Sequence, residues 1–364
     1  MDGVFKHINE IPVLTWSWLE VNDASMKEEF PPVGKYNKTS VAGTVPQAFS
    51  VSALPAESSF SGQIPKINAK QEVRDYIAAH QNSAHFVRIK KNRATKEPLF
   101  LSYELDTASP VLVDETVIVA EEGSRATVII RYTSAENGAF YHSGSTRIYA
   151  AKNAEIKLVK VQMLADTAAH VDHVAVLADA DAKVQVILAE LGARQSVTNC
   201  AIDLTGENSE AAVDSIYLGD KQRLLDLNYR IAHKVPNTVS NIHSNGVLAD
   251  TCEKVFRATI DFISGSSNSK GREEEYTVLL GPDVKNISTP LLLCGEENVE
   301  GAHASSTGKL DTEKLFYLTT RGFTETEAKK FIIEAAFTPV LEKMENPPLQ
   351  QEVMGYISNR LRHI

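Results

Sequence analysis

Cysteine is scarce in this chain: Cys200, Cys252 and Cys294 are the only three among 364 residues, and they lie far apart. None stands at Cys-x-x-Cys spacing, which excludes a four-thiolate metal site within one chain. The odd count also argues against a disulfide framework and fits a reducing compartment. Long hydrophobic runs are missing as well. The apolar stretch from Val13 to Leu19 is far shorter than the roughly 20 residues that cross a bilayer. No lysine-rich start leads into an apolar core, so a secretory leader is not expected and a cytoplasmic location is the default.

Several chemical signatures are absent too. The sequence contains no Gly-x-x-x-x-Gly-Lys-Ser/Thr, so this chain is not expected to bind or hydrolyse nucleotide by P-loop chemistry. It has no Gly-x-Gly-x-x-Gly for a dinucleotide and no Gly-x-Ser-x-Gly elbow for a hydrolase. Basic charge is in the minority. With 47 acidic against 37 basic residues, the net charge of -10 disfavours nucleic acid or an anionic membrane as the main partner. The one basic run, Arg88-Ile89-Lys90-Lys91-Asn92-Arg93, has no neighbouring row of aromatic residues for stacking and reads as a solvated strand or turn.

What is present is ample apolar content, 43% of residues, in a chain longer than one ordinary core. Either two or three units or a single solenoid would accommodate that length. Residues 1–85 read as a mixed, partly helical cap. A short helix is expected from Ala69 to Ala79 on the spacing of Val73, Tyr76 and Ile77. Trp16 and Trp18 would share one face of an extended segment and pack in the cap.

Residues 86–307 have a strand texture, with short runs such as Val117-Ile118-Val119, Thr127-Val128-Ile129-Ile130 and Val184-Gln185-Val186-Ile187-Leu188 between small or polar residues. A repeat runs through them. Gly123-x-x-Ala126-x-Val128 returns as Asn153-x-x-Ile156-x-Leu158, Asp181-x-x-Val184-x-Val186 and Asn208-x-x-Ala211-x-Val213, at intervals of 30, 28 and 27 residues. Stacked coils explain the pattern, because Gly, Asn and Asp tolerate tight corner geometry while the two following residues point inward. A β-sandwich is the alternative.

Residues 308–364 are expected to be helical. Asp311 is placed to cap a first helix carrying Leu315, Phe316 and Leu318, and Thr324 with Glu327 has capping-box spacing. Ala328, Phe331, Ile332, Ala335 and Ala336 then supply an apolar face, Pro339 marks a kink or an end, and Val353, Ile357 and Leu361 line a last helix.

Metal-ligating candidates are few. His170 and His173 should point to opposite faces of a strand. His233 and His243 flank a turn around Pro236 that could draw them together. His303 lies where the last coil ends, nine residues after Cys294; imidazole and thiolate both suit ferrous iron or a nascent cluster. A β-helical polysaccharide lyase or hydrolase would need paired carboxylates in one cleft, for which Asp172, Asp179, Asp181 and Glu190 are available.

The run Gly308, Leu310, Asp311, Leu315, Phe316, Tyr317, Leu318, Arg321, Gly322 resembles a hallmark of the SufB/SufD proteins of iron-sulfur cluster assembly. His233-x-x-Pro236-x-Thr238-x-Ser240, then Gly246-Val247-Leu248-Ala249-Asp250, and the Thr15–Asn22 segment are similar to further passages of that family. The resemblance implies a mainly β protein, a right-handed parallel β-helix with N-terminal and C-terminal α-helical regions. It implies a scaffold component rather than an enzyme, whose residues 308–364 dock a SufC-type ATPase through Leu315, Phe316, Tyr317 and Arg321. Its coils would pair with a SufB/SufD-type chain or a second copy, and His303 and Cys294 would hold a transient iron-sulfur cluster or iron. Ala304 replaces the family's glycine after the histidine and Gly301 stands where SufD chains often have cysteine; without a counterpart of the essential SufB cysteine, the SufD-like label is favoured. The alternative implied role is a structural, partner-binding subunit without cluster ligands of its own.

Overall fold

The structure, a computed structural model, describes residues 5–15, 17–26, 31–38, 40–54 and 64–361. Its centre is a two-sided parallel β-solenoid. One nine-stranded sheet contains β1 (Val41–Ala42), β4 (Leu99–Leu105), β6 (Arg125–Ser134), β8 (Glu155–Met163), β10 (Lys183–Glu190), β12 (Glu210–Gly219), β14 (Val239–Leu248), β16 (Ser269–Leu279) and β18 (Val299–Lys309). The facing nine-stranded sheet contains β2 (Phe49–Ser52), β3 (Ser83–Ile89), β5 (Val111–Ala120), β7 (Phe140–Ala150), β9 (Ala168–Ala178), β11 (Gln195–Leu204), β13 (Leu224–His233), β15 (Glu253–Phe262) and β17 (Lys285–Cys294). Each coil contributes one strand to each sheet. The sandwich alternative is thereby excluded, since the ladders from β3 and β4 onward are parallel and join equivalent strands of successive coils.

The sequence repeat is the register of the fold. Ala126, Ile156, Val184 and Ala211 stack in one column, and Val128, Leu158, Val186 and Val213 in the next, all buried. The corner residues Gly123, Asn153, Asp181 and Asn208 have φ of 65°, 56°, 58° and 59°, and Asn237 and Asn268 continue the series at 63° and 59°. Left-handed backbone strongly favours Gly and Asn or Asp, whose short polar side chains tolerate it. Corners also bond coil to coil: Asn153 and Asp181 donate their N–H groups to the carbonyls of Ala180 and Glu207.

Both sheets are covered on their outer faces, so strand residues of both parities are buried. Helix α1 (Gln71–His80) buries Val73 and Ile77 and, with Phe5, Ile8 and Met26, covers the β5–β11 face. Asn9 and Arg257 fasten this N-terminal layer: the Asn9 amide donates to Asp226 Oδ1 at 2.6 Å, and Arg257 clasps Asp226 at 2.6 and 2.8 Å. Trp18 departs from the packed-cap expectation. It lies in a short 3-10 turn, Ser17–Leu19, and is 74% exposed; Trp16 lies outside the described residues.

The opposite sheet is covered by the C-terminal helices α3 (Glu325–Lys343) and α4 (Pro347–Arg360). Val353, Ile357 and Leu361 are buried as their spacing predicts. In α3 the buried face is rotated from the expected one. Ile333, Phe337, Val340 and Leu341 face the solenoid with Ala328, while Phe331 and Ala335 are exposed. The larger side chains of the second set bury more apolar area, at about 1.5–3 kcal/mol each, and so decide the face. The helix also continues through Pro339 to Lys343 rather than ending there. No helix among the described residues is long and apolar enough to cross a membrane.

The two ends of the solenoid differ. At the N-terminal end β1 and β2 cap β4 and β3 in antiparallel fashion. At the other end β17 and β18 are the last strands of their sheets, and their side chains are half to fully exposed.

Candidate functional site

The uncovered end is where the sequence-predicted ligands lie. His303 is in register with Glu273 of the preceding coil. A Cβ on Gly301 would meet Leu292 and Phe262 of the interior, and Ser305 donates its hydroxyl to Glu275 Oε2 at 3.1 Å. Residues 301, 303 and 305 alternate on one face, so His303 faces the interior of the terminal coil. Cys294, in register with the buried Phe262, shares that inward parity and is exposed at the end of β17.

Cys294 and His303 are not brought together within the chain. Gly301 stands opposite Leu292; Cys294 lies two residues from Leu292 toward the turn, and His303 two residues from Gly301 away from it. Strand rise puts about 13 Å between them. Among the described residues no group of three or more His, Cys, Asp or Glu side chains is arranged to hold a metal ion.

Beneath the terminal coil lies a buried polar cluster that sequence reading did not single out. Lys254 Nζ reaches Glu275 Oε1 at 2.5 Å and Ser288 Oγ at 3.0 Å, and Tyr217 donates to the same Glu275 oxygen at 2.8 Å. Burial would raise the Glu275 carboxyl, but Lys254 holds it below its usual range. For Glu273, burial and the neighbouring Glu275 outweigh the pull of Lys254 and raise it to about 7.

A second enclosed cluster lies between β5 and β11. His142 Nε2 meets Asp114 Oδ1 at 2.6 Å, and its Nδ1 meets His170 Nδ1 at 2.7 Å. Lys160 pairs with Asp172 at 2.7 Å, and Ser196 donates to Glu190 at 2.8 Å. Burial and then Asp172 push Glu190 up to about 7, while burial and His142 lower His170 well below the usual histidine range. His142 precedes His170 by one coil, so tracing the repeat along the inward column would have found the pair. Asp172 and Glu190 are enclosed inside the solenoid and do not line an open groove as a polysaccharide-cleaving site requires.

The other histidines separate as follows. His173 faces the opposite side of β9 from His170 and is buried beneath the N-terminal layer. His233 is an interior residue bonded to Thr238 and Ser240 at 2.6 and 2.7 Å, and burial lowers it to about 4. His243 is on the outward face of β14, 3.9 Å from Asp214, which also binds Lys343 of α3 at 2.5 Å. The turn at Pro236 thus leaves His233 and His243 in different sheets, facing different surroundings.

The predicted partner-contact residues Leu315, Phe316 and Tyr317 lie on α2 (Thr312–Thr320), which is joined to β18 by Leu310 and Asp311 alone, and Arg321 caps its C-terminus. Asp311 Oδ1 accepts from the N–H groups of Glu313 and Lys314 at 3.0 and 3.1 Å, and Thr324 with Glu327 closes the capping box of α3. Leu315 is half-buried. Phe316 and Tyr317 are 70% and 56% exposed, and the Arg321 guanidinium stacks 5.2 Å above the Tyr317 ring. Phe323 and Phe331, exposed and 6.1 Å apart between ring centres, extend the apolar area.

A family profile described as "SUF system FeS cluster assembly, SufBD core domain" matches residues 103–336. The iron-sulfur cluster assembly protein SufD of Bacillus subtilis (strain 168) is 22% identical over 288 residues, covering 78% of this chain and 66% of that protein. The protein of the same description from Escherichia coli (strain K12) is 25% identical over 240 residues, 66% of this chain and 57% of its own length. A SufBD family protein of Staphylococcus saprophyticus is 23% identical over 288 residues, 78% of this chain and 61% of its own. The chain thus spans 57–66% of the length of these relatives.

Proposed function

Because the chain belongs to the SufBD core-domain family of the SUF system of FeS cluster assembly, we propose that it is a non-catalytic scaffold component that couples a SufC-type ATPase to cluster formation or transfer. The observation that carries this reading is the pairing of an exposed aromatic helix with an uncovered solenoid end. Phe316 and Tyr317 on α2, with Arg321 at its C-terminal cap, offer aromatic and arginine anchors of the kind that dominate protein interfaces. Only Leu310 and Asp311 separate that helix from β18. Movement of a docked ATPase would therefore act directly on the strand that carries His303.

Residues 308–364 divide between two tasks in this reading. Helices α3 and α4 anchor on the solenoid through Phe337, Val340, Val353 and Ile357, and α2 with Phe323 and Phe331 presents the docking surface. The open edges of β17 and β18 receive a SufB/SufD-type chain or a second copy. His303, and independently Cys294, contact iron or a transient cluster as cargo at that junction. Coupling requires the ATPase to hold α2 differently in its two nucleotide states.

The docking test is binding of a SufC-type ATPase to the purified chain, with and without Phe316→Ala combined with Tyr317→Ala. About a tenfold or greater loss of affinity is expected, with no change in thermal unfolding, because both side chains are exposed. Unchanged affinity would remove α2 as the docking surface. Hydrogen exchange across residues 294–322 should then change when ATP is added to the assembled complex; an identical pattern with and without ATP would sink the coupling.

A further inference from the structure

Two carboxylates on the interior face of β16 differ in how they are satisfied. Glu275 accepts from Lys254, Tyr217 and Ser305. Glu273, two residues earlier on the same face, is 2% exposed, and its Oε2 has no hydrogen-bond partner. An unmet buried polar atom costs about 1–3 kcal/mol, so its retention calls for a role.

The neighbour of Glu273 on the next strand is His303. Adjacent strands are about 4.8 Å apart, and both residues face the interior, as Gly301 and Ser305 on either side of His303 establish. Beyond His303 no further coil follows among the described residues, so a ligand could enter from the open end. A carboxylate oxygen and an imidazole nitrogen suit ferrous iron and its divalent first-row analogues. Two ligands leave most of the coordination sphere open, as a cargo site requires.

We propose that Glu273 and His303 form an iron-binding half-site inside the terminal coil, with Glu273 as a ligand that the sequence did not reveal. The proposal rests on reading His303 as a cargo contact and adds its partner. Cys294, on β17 of the facing sheet, is outside this half-site and cannot complete it within one chain.

Anaerobic titration of the full chain with Co2+, followed by its visible absorption, tests the assignment without any assembly activity. Wild type should bind with a spectrum of oxygen and nitrogen ligation lacking the intense thiolate band. Glu273→Gln, close to isosteric, and His303→Ala should each weaken binding tenfold or more, Glu273→Asp should retain part of it, and Cys294→Ala should leave it unchanged. Thermal unfolding of each variant confirms that it is folded. If Glu273→Gln binds like wild type while His303→Ala does not, the Glu273 assignment fails and the reading of His303 stands. If neither substitution matters, or wild type does not bind Co2+, the half-site is overturned. The ATPase-docking measurement is independent of each of these outcomes.

Discussion

His173 is enclosed on the outer face of β9 with neither ring nitrogen bonded, and burial lowers its pKa to about 4. In the unfolded chain the same ring titrates near 6.5, so between those values the unfolded state binds a proton that the folded state refuses. Stability must therefore fall as pH drops from about 6.5 toward 4, by about 3 kcal/mol in the limit from this residue. Glu190 has the opposite sign. Its folded carboxyl is raised to about 7, so its contribution is fully present below 4.5 and is lost as pH rises through 7. Urea unfolding between pH 4 and 8 separates the two. His173→Leu should flatten the acid limb and gain stability at pH 5, whereas Glu190→Gln should exceed wild type at pH 8 and converge with it at pH 4. Parallel curves for wild type and either variant would contradict the burial argument for that residue.

Elements of the solenoid depend on their corners, and the corners are where sequence and fold agree most closely. Asn208, at φ 59°, should cost about 1–2 kcal/mol when replaced by Ala and little when replaced by Gly, read from chemical denaturation. An equal loss for both would mean that its side-chain bond to Asp181, at 3.2 Å, matters more than its backbone. These corners were legible because Gly, Asn and Asp recur at a fixed interval ahead of paired inward residues. The capped starts of α2 and α3 were legible from Asp311, Thr324 and Glu327, which act within one turn. The buried face of α3 was not: Ala328, Phe331 and Ile332 satisfy helical spacing as well as Ile333, Phe337 and Val340, and only the shape of the outer sheet face chooses. Glu273 was hidden for a related reason. Its neighbours in Glu273-Glu274-Glu275 look like a solvated charge run until strand parity sends the first and third inward and the middle one out to Arg272 at 2.5 Å.

For the whole molecule, a last coil that pairs with a partner chain, as proposed, must do so without inviting endless stacking of copies. Outward-facing Lys270, Lys285 and Gly295 donate their N–H groups back to the preceding coil. Since bonding direction alternates with side-chain direction along a strand, inward-facing residues of the last coil aim their backbone groups at the free edge. On β17 one of these is Pro290, which has no N–H to offer. On β18 the inward residues Gly301, His303, Ser305 and Thr307 all retain theirs, among small neighbours that permit close approach. Pairing should therefore depend on β18 more than on β17. Ser305→Pro is expected to weaken association with a second SufB/SufD-type chain at least tenfold, with Ser305→Ala controlling for the lost bond to Glu275 and remaining near wild type. Pro290→Val should leave that association intact and raise self-association, measured by sedimentation over a concentration series. If Ser305→Pro pairs normally, the free edge of β18 is not the seam.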